Sequence, residues 1–168
     1  MFSALPTDRT VQFRPIRPDD AERLVAFHES LDPYDQYLRF FSVHPHLTTI
    51  EIERFTHVDH HEREAVVVID GTDLVGVGRY ERLEDPTTAE VAFVVSGPWR
   101  GHGLATDLLH RLAAIARENG ISTFVAETLA VNHQMLDVFR HAGYPSTCHF
   151  VDGVMETHLD ITRAGPDR

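Results

Sequence analysis

Between residues 88 and 120 the chain passes from an apolar stretch through a glycine-rich turn into a long amphipathic helix, and few folds accept that succession. Residues 88–96, TAEVAFVVS, read as a buried strand. Gly97, Pro98, Trp99, Arg100, Gly101, His102 and Gly103 follow. Leu104, Leu108, Leu112 and Ile115 then recur at helical spacing before Asn119 and Gly120 stop the helix. A strand feeding such a turn and helix aims several backbone N–H groups at one spot, where the helix N-terminus adds about half a positive charge. Gly101 and Gly103 let the backbone take positive φ and come close to a ligand. The junction 99–106 therefore predicts an anion site, although a tight ligand-free turn uses the same residues.

The flanking patterns set the class. Val11, Phe13 and Ile16 mark a short strand over 11–17, and Pro18, Asp19 and Asp20 suit the first turn of a helix reaching about residue 31. After Asp32 and Pro33 an aromatic segment, Tyr34, Tyr37, Leu38, Phe40 and Phe41, reads as a helix face packed into the core rather than an aromatic binding box. A third helical stretch over 47–55 carries Ile50, Ile52 and Phe55. Strands follow at 64–69, 74–82 and 88–96, with turns at Asp70-Gly71 and Asp85-Pro86. Beyond the long helix come a strand at 121–129, a helix at 132–142 and a hairpin within 150–161 that turns at Asp152-Gly153. Antiparallel strands first and a parallel strand-helix-strand crossing at the centre predict an α+β domain with a mixed, mostly antiparallel sheet flanked by helices. With 168 residues, 42% hydrophobic and 24% charged, a single domain over 11–162 is expected, between a flexible arm at 1–10 and a tail at 163–168.

The chain has 15 basic against 26 acidic side chains, a formal net charge of −11 with its 12 histidines neutral. Nucleic acid and anionic membranes need a basic face, so neither is expected as a partner, whereas a cationic or small-molecule partner stays open. No apolar run approaches the roughly 20 residues that span a bilayer. Cys148, the single cysteine, cannot form an intramolecular disulfide, and a reducing cytoplasm is the expected setting. Cys148 itself reads as a small buried apolar residue. His57, His60 and His61, beside Asp59 and Glu62, show neither a His-Glu-x-x-His pattern nor Cys-His spacing, and no metal is expected.

Three anion-binding patterns compete for the turn. A phosphate loop ends on Lys followed by Ser or Thr, which is missing here, and a dinucleotide fingerprint needs a third glycine where Thr106 stands. The third, Arg/Gln-x-x-Gly-x-Gly/Ala, fits Arg100, Gly103 and Ala105. With this motif, the order of elements, the apolar strand ahead of the turn and a later Asn-plus-helix segment, the sequence resembles the GNAT superfamily of acetyl-CoA-dependent N-acetyltransferases over 11–161. The resemblance implies the GNAT fold and acetyl-CoA as co-substrate. It places backbone groups of Val94 and Val95 on the pantetheine arm and Arg100, Gly101, His102, Gly103, Leu104, Ala105 and Thr106 around the pyrophosphate. Asn132 falls near the pantetheine, and it also reads as the N-cap of its helix. Tyr37-Leu38-Arg39-Phe40-Phe41-Ser42, Val58-Asp59 and Ala89-Glu90 resemble more closely the GNAT domain of bacterial protein lysine acetyltransferases. Such domains are often fused to a nucleotide-binding or synthetase-like domain, for which 168 residues leave no room.

An acceptor amine with a pKa near 10.4 costs roughly 4.6 kcal/mol to deprotonate at pH 7, so a general base is useful. By resemblance that base is Glu90, in an Ala-Glu-x-x-Phe setting just before the turn. In a strand it shares a face with Ala92 and Val94, small apolar neighbours that raise a carboxyl pKa. A solvated carboxylate is the plainer reading. Glu127 is the second catalytic candidate, and it equally suits pairing with an arginine or lining the acceptor channel. Where many GNAT enzymes carry a Tyr on the last major helix, this chain has Phe139, which cannot protonate a leaving thiolate. Either a water does so, or a strand N–H near Val94 or Val95 holds the oxyanion, while Tyr144 packs in the core. The expectation is direct transfer from acetyl-CoA to a primary amine, a protein lysine or a small molecule, by a monomer or homodimer. The alternatives are a catalytically weak or inactive acyl-CoA-binding sensor or interaction domain, and a nucleotide-binding enzyme, which the missing Lys and third glycine disfavour.

Overall fold

The computed structural model describes residues 10–163, so the expected arm at 1–10 and tail at 163–168 lie outside the described residues but for Thr10 and Arg163. β1 (Gln12–Pro15) leads through a single 3-10 turn at Pro18–Asp20 into α1 (Ala21–Ser30), α2 (Pro33–Phe40) and α3 (Thr49–Thr56). β2 (Arg63–Asp70), β3 (Asp73–Arg82) and β4 (Thr88–Val95) follow as an antiparallel meander with one register shift at Val68/Ile69. α4 (Leu104–Glu118) crosses to β5 (Thr123–Leu129), and α5 (His133–His141) leads to the hairpin of β6 (Ser146–Val151) and β7 (Val154–Asp160). The seven strands form one sheet in the order β1-β2-β3-β4-β5-β7-β6, with β4 and β5 parallel. This is the mixed α+β arrangement that the order of elements predicts.

Local chemistry sets the boundaries. Pro33 opens α2 behind an Asp32 carboxylate that accepts the Tyr34 N–H at 2.8 Å, and Thr48 and Glu51 cap α3 reciprocally. Asp152 and Gly153 both take positive φ, 49° and 87°, as a two-residue hairpin turn requires. At the first turn, buried Asp20 receives two Arg14 contacts of 2.7 Å and the Arg17 N–H at 2.8 Å. Burial pushes the Asp20 carboxyl up, but Arg14, the Arg17 N–H and Arg23 outweigh it and hold the carboxyl below its ordinary range.

The sheet separates two cores. On one face Val66, Val68, Val91, Phe93 and Phe124 pack with Leu108, Leu109 and Leu112 of α4 and Phe139 of α5. On the other, Ala65, Val67 and Val77 meet Leu24, Phe27 and Leu31. β2 is covered on both faces, which is why its apolar run does not alternate. Gly78 has no side chain because the Phe93 ring lies over it; an added Cβ would meet that ring at 2.6 Å. The second core stops part-way across the sheet. On that face β3 continues from Val77 to Arg79 and Glu81, β4 presents Glu90, Ala92 and Val94, and β5 presents Glu127. There β4 and β5 also separate: they pair at Thr88↔Thr123, Ala89↔Phe124 and Glu90↔Val125, and part beyond Glu90.

Three sequence expectations change. The aromatic segment is not core: Tyr34 and Tyr37 are 53% and 39% exposed, and Gln36 is the buried residue of α2, donating to the His28 carbonyl at 2.9 Å. A two-turn helix on the rim of the opening turns only a narrow stripe inward, whatever its aromatic content. Ile50 of α3 points to solvent. Cys148 is exposed, because β6 is an edge strand uncovered on both faces. Tyr144 does pack in the core, against the His110 ring. Among the described residues no helix is long and apolar enough to cross a membrane.

Candidate active site

The turn after β4 has the backbone that its glycines predict. Gly101 and Gly103 hold φ of 78° and 81°, and a Cβ at either would meet open space, so conformation and not room requires glycine. The first helical bond beyond the turn runs from the Asp107 N–H to the Gly103 carbonyl at 3.0 Å. The N–H groups of Leu104, Ala105 and Thr106 thus precede the ladder and have no intrahelical acceptor. They border a groove of about 360 Å³ between the turn and α5, with Val95, Arg100, Gly101, Gly103, Gln134, Met135 and Val138 on its walls. His102 does not line this groove; its ring meets the Trp99 indole edge-on, 6.4 Å between centroids.

From the turn the groove continues along β4. Val94, Val95, Asn132, Met135, Leu38 and Arg39 line the next stretch, and Ala92, Ala126, Glu127, Thr128 and Phe139 the cleft where β4 and β5 have separated. Shared walls at Met135, Asn132 and Arg39 make these one passage. Asn132 does cap α5, its side-chain oxygen accepting the Met135 N–H at 3.2 Å, and it lines the passage as well. Phe139 is buried against Phe93, with no hydroxyl to offer. Arg100 is engaged: its guanidinium forms an ion pair with Asp35 of α2 across the mouth.

The passage opens into a cavity of about 290 Å³ beneath α2 and α3, where Glu90 and Glu127 stand together. Burial lifts the Glu90 carboxyl above its ordinary value; the charge of Glu127 adds to the lift, Arg39 opposes it and Glu81 adds again. A base with a raised pKa, placed where the passage from the turn meets a side cavity, suits proton abstraction near neutral pH. The same cavity holds Arg39, Arg54, Arg63 and Arg79. All 15 basic residues of the chain are arginine, and it has no lysine. Arg79, Asp35, Gln134 and Met135 were not expected in the site. The signal for Arg79 was there, since it falls on the inward phase of β3, two residues after Val77, where an unpaired charge is otherwise costly.

The His-rich segment lies apart from the passage. His57, His60 and His61 each contact a carboxylate, of Glu53, Glu64 and Glu62 respectively, and among the described residues no group of three or more His, Cys, Asp or Glu side chains could hold a metal.

A family model for the acetyltransferase (GNAT) domain matches residues 10–145. The chain belongs to the GNAT acetyltransferases. Among its relatives of this family, an acetyltransferase of Pseudomonas aeruginosa is 26% identical over 145 residues, 84% of this chain and 78% of that protein. The acetyltransferase Pat of Mycolicibacterium smegmatis is 28% identical over 151 residues; these are 88% of this chain but 45% of Pat. The crystal structure of the GNAT domain of S. lividans PAT superposes with a TM-score of 0.85 at 39% identity, covering 89% of this chain and 90% of that one. The GNAT fold and the likeness to the PAT type of GNAT domain, both expected from the sequence, are thus shown.

Proposed function

We propose that the protein transfers an acetyl group from acetyl-CoA directly to a primary amine, with Glu90 as general base. The observation that carries this reading is the position of Glu90: it is the last residue of β4 paired to β5, at the meeting of the passage and the cavity. Acetyl-CoA fits the passage by its chemistry, and it supplies the activated acyl group. Its phosphates suit the unpaired N–H groups of Leu104, Ala105 and Thr106 at the positive end of α4, and its pantetheine suits the walls at Val94, Val95 and Asn132. Glu90 receives the proton of the acceptor ammonium, and Glu127 beside it keeps the Glu90 carboxyl basic. No side-chain hydroxyl stands at Phe139, so the leaving thiolate takes its proton from water. The free thiol of Cys148 suits a reducing compartment, and we place the activity in the cytoplasm.

Free CoA is followed while the protein turns over acetyl-CoA with a panel of amines and a lysine-containing protein. Glu90→Gln is expected to slow transfer most near neutral pH and less at high pH, where the amine deprotonates unaided. If Glu127→Gln behaves that way and Glu90→Gln does not, Glu127 is the base. The buried, hydroxyl-free Phe139 supports a second reading, an acyl-CoA-binding sensor with little or no turnover. Tight acetyl-CoA binding without CoA release from any amine selects that one.

A further inference from the structure

The charges lining the 290 Å³ cavity do not all serve the fold. Arg54 forms an ion pair with Glu81. Arg63 donates to the Arg54 and His57 carbonyls at 3.0 and 2.9 Å, and Glu64 accepts from the His60 ring and the Ala65 N–H, both at 2.8 Å. Four groups are left. Glu90 and Glu127 form no hydrogen bond or ion pair among the described residues, and neither does Arg39. Arg79 has a single, long hydrogen bond, 3.3 Å to the Phe55 carbonyl.

These four face the same cavity, yet opposite charges do not close on one another. The sheet register sets Arg79 opposite Ala92, hence diagonal to Glu90 on the same face. Each guanidinium is drawn aside onto a ring: Arg79 lies 4.3 Å over Phe55 and Arg39 4.7 Å over Phe40. Burial and then the charges of Arg39, Arg63 and Arg54 push Arg79 down to about 9, which leaves it charged at neutral pH and short of an anion. The cavity therefore presents two cations and two anions held apart, a surface complementary to a molecule with both signs. Its volume stands at the lower end of the range for small-molecule sites.

We propose that the acceptor amine brings a carboxylate with it, and that Arg39 and Arg79 hold this carboxylate while Glu90 faces the amine. Guanidinium pairs bind carboxylates with directional, charge-assisted bonds, and the same arginines repel the second cation of a diamine. The carboxylate has two possible sources with one chemistry: a free amino acid, or an acidic side chain beside an acceptor lysine. This inference rests on the acetyltransfer reading above, and the experiment separates the two.

Acetyl transfer is measured for ω-amino carboxylates from glycine to 6-aminohexanoate, for the amide of each, and for 1,6-diaminohexane, and then for two short peptides with one lysine beside Glu or beside Gln. The best carboxylate is expected to exceed its amide and the diamine in kcat/KM by about 10- to 100-fold, the size of a hydrogen-bonded charge. Arg79→Gln should shrink that preference to within about threefold, and Arg39→Gln makes the same test if the first variant does not fold. A preference confined to the small amines assigns the carboxylate to a free amino acid; one confined to the Glu peptide assigns it to a neighbouring acidic residue. Equal or faster transfer to the amides, the diamine and the Gln peptide overturns the proposal. Calorimetry with the N-acetylated carboxylates and their amides needs no turnover. Carboxylate-dependent binding that Arg79→Gln abolishes, in a protein that transfers no acetyl group, upholds the subsite and discards the acetyltransfer reading.

Discussion

The two ends of the passage are built from different materials. At the turn, the contacts available to a ligand are main-chain N–H groups, glycines, apolar walls and the uncharged side chains of Thr106 and Gln134, and its two charged residues, Arg100 and Asp137, are already paired with Asp35 and Arg140. At the cavity the walls are charged side chains, and four of them have no strong partner. A main-chain cradle tolerates much change in side chains and recognises a group common to many reactions. A side-chain cavity changes with every substitution, and that is where one member of a family can differ from the next.

The largest effect that tests this contrast is at Glu90. Glu90→Gln should cut kcat at pH 7 by about 100- to 1,000-fold, and the deficit should narrow toward high pH, where the amine deprotonates unaided. The sign for stability is opposite: a carboxyl raised in the folded state favours folding when protonated and opposes it as pH rises through its folded pKa. Glu90→Gln is therefore expected to melt no lower than wild type at pH 7, and a lower melting temperature would break the distinction between charges kept for chemistry and charges kept for the fold. Asp20 is the counterpart. Its lowered carboxyl contributes stability that is present above the unfolded carboxylate range and is lost as pH falls through the folded value. Asp20→Ala leaves the partly buried Arg14 guanidinium and the Arg17 N–H without their acceptor, and urea denaturation should register about 3 kcal/mol of destabilisation.

Smaller effects belong to the turn. Gly103→Ala forces a Cβ onto a backbone with φ of 81°, a strain of about 1 kcal/mol. It should raise KM for acetyl-CoA by about fivefold and leave the choice among acceptors unchanged; a changed acceptor preference would show that the two ends are not separable. Asp35→Asn is the smallest, freeing Arg100 at an exposed mouth. At low salt KM for acetyl-CoA should fall about twofold to threefold, and the gain should fade as salt is added.

Much of the frame was legible because it is written locally. Leu104, Leu108 and Leu112, the glycines of the turn, Asn119-Gly120 and Asp152-Gly153 each state their geometry within a few residues, and the parallel crossing follows from their order. The main-chain half of the site was legible for the same reason. The side-chain half was not. Arg39 and Arg79 lie 40 positions apart on a helix and a strand, and only the separation of β4 from β5 brings them to one cavity with Glu90 and Glu127. The aromatic residues of α2 misled because hydrophobic content says that a helix has an inward face without saying how wide it is. Cys148 misled because nothing local marks β6 as the last strand of its sheet.

Arginine as the sole cation has a consequence for the enzyme's own surface. Arg39 lines both the passage and the cavity, within reach of whatever acyl group arrives there. A lysine at that position would bring the same positive charge together with a primary amine, and so a rival acceptor inside the site. A guanidinium attracts an anion, stays protonated near neutral pH and carries no primary amine to acylate. No side chain of this chain offers a primary amine to acylate, so none competes with the acceptor for the acyl group.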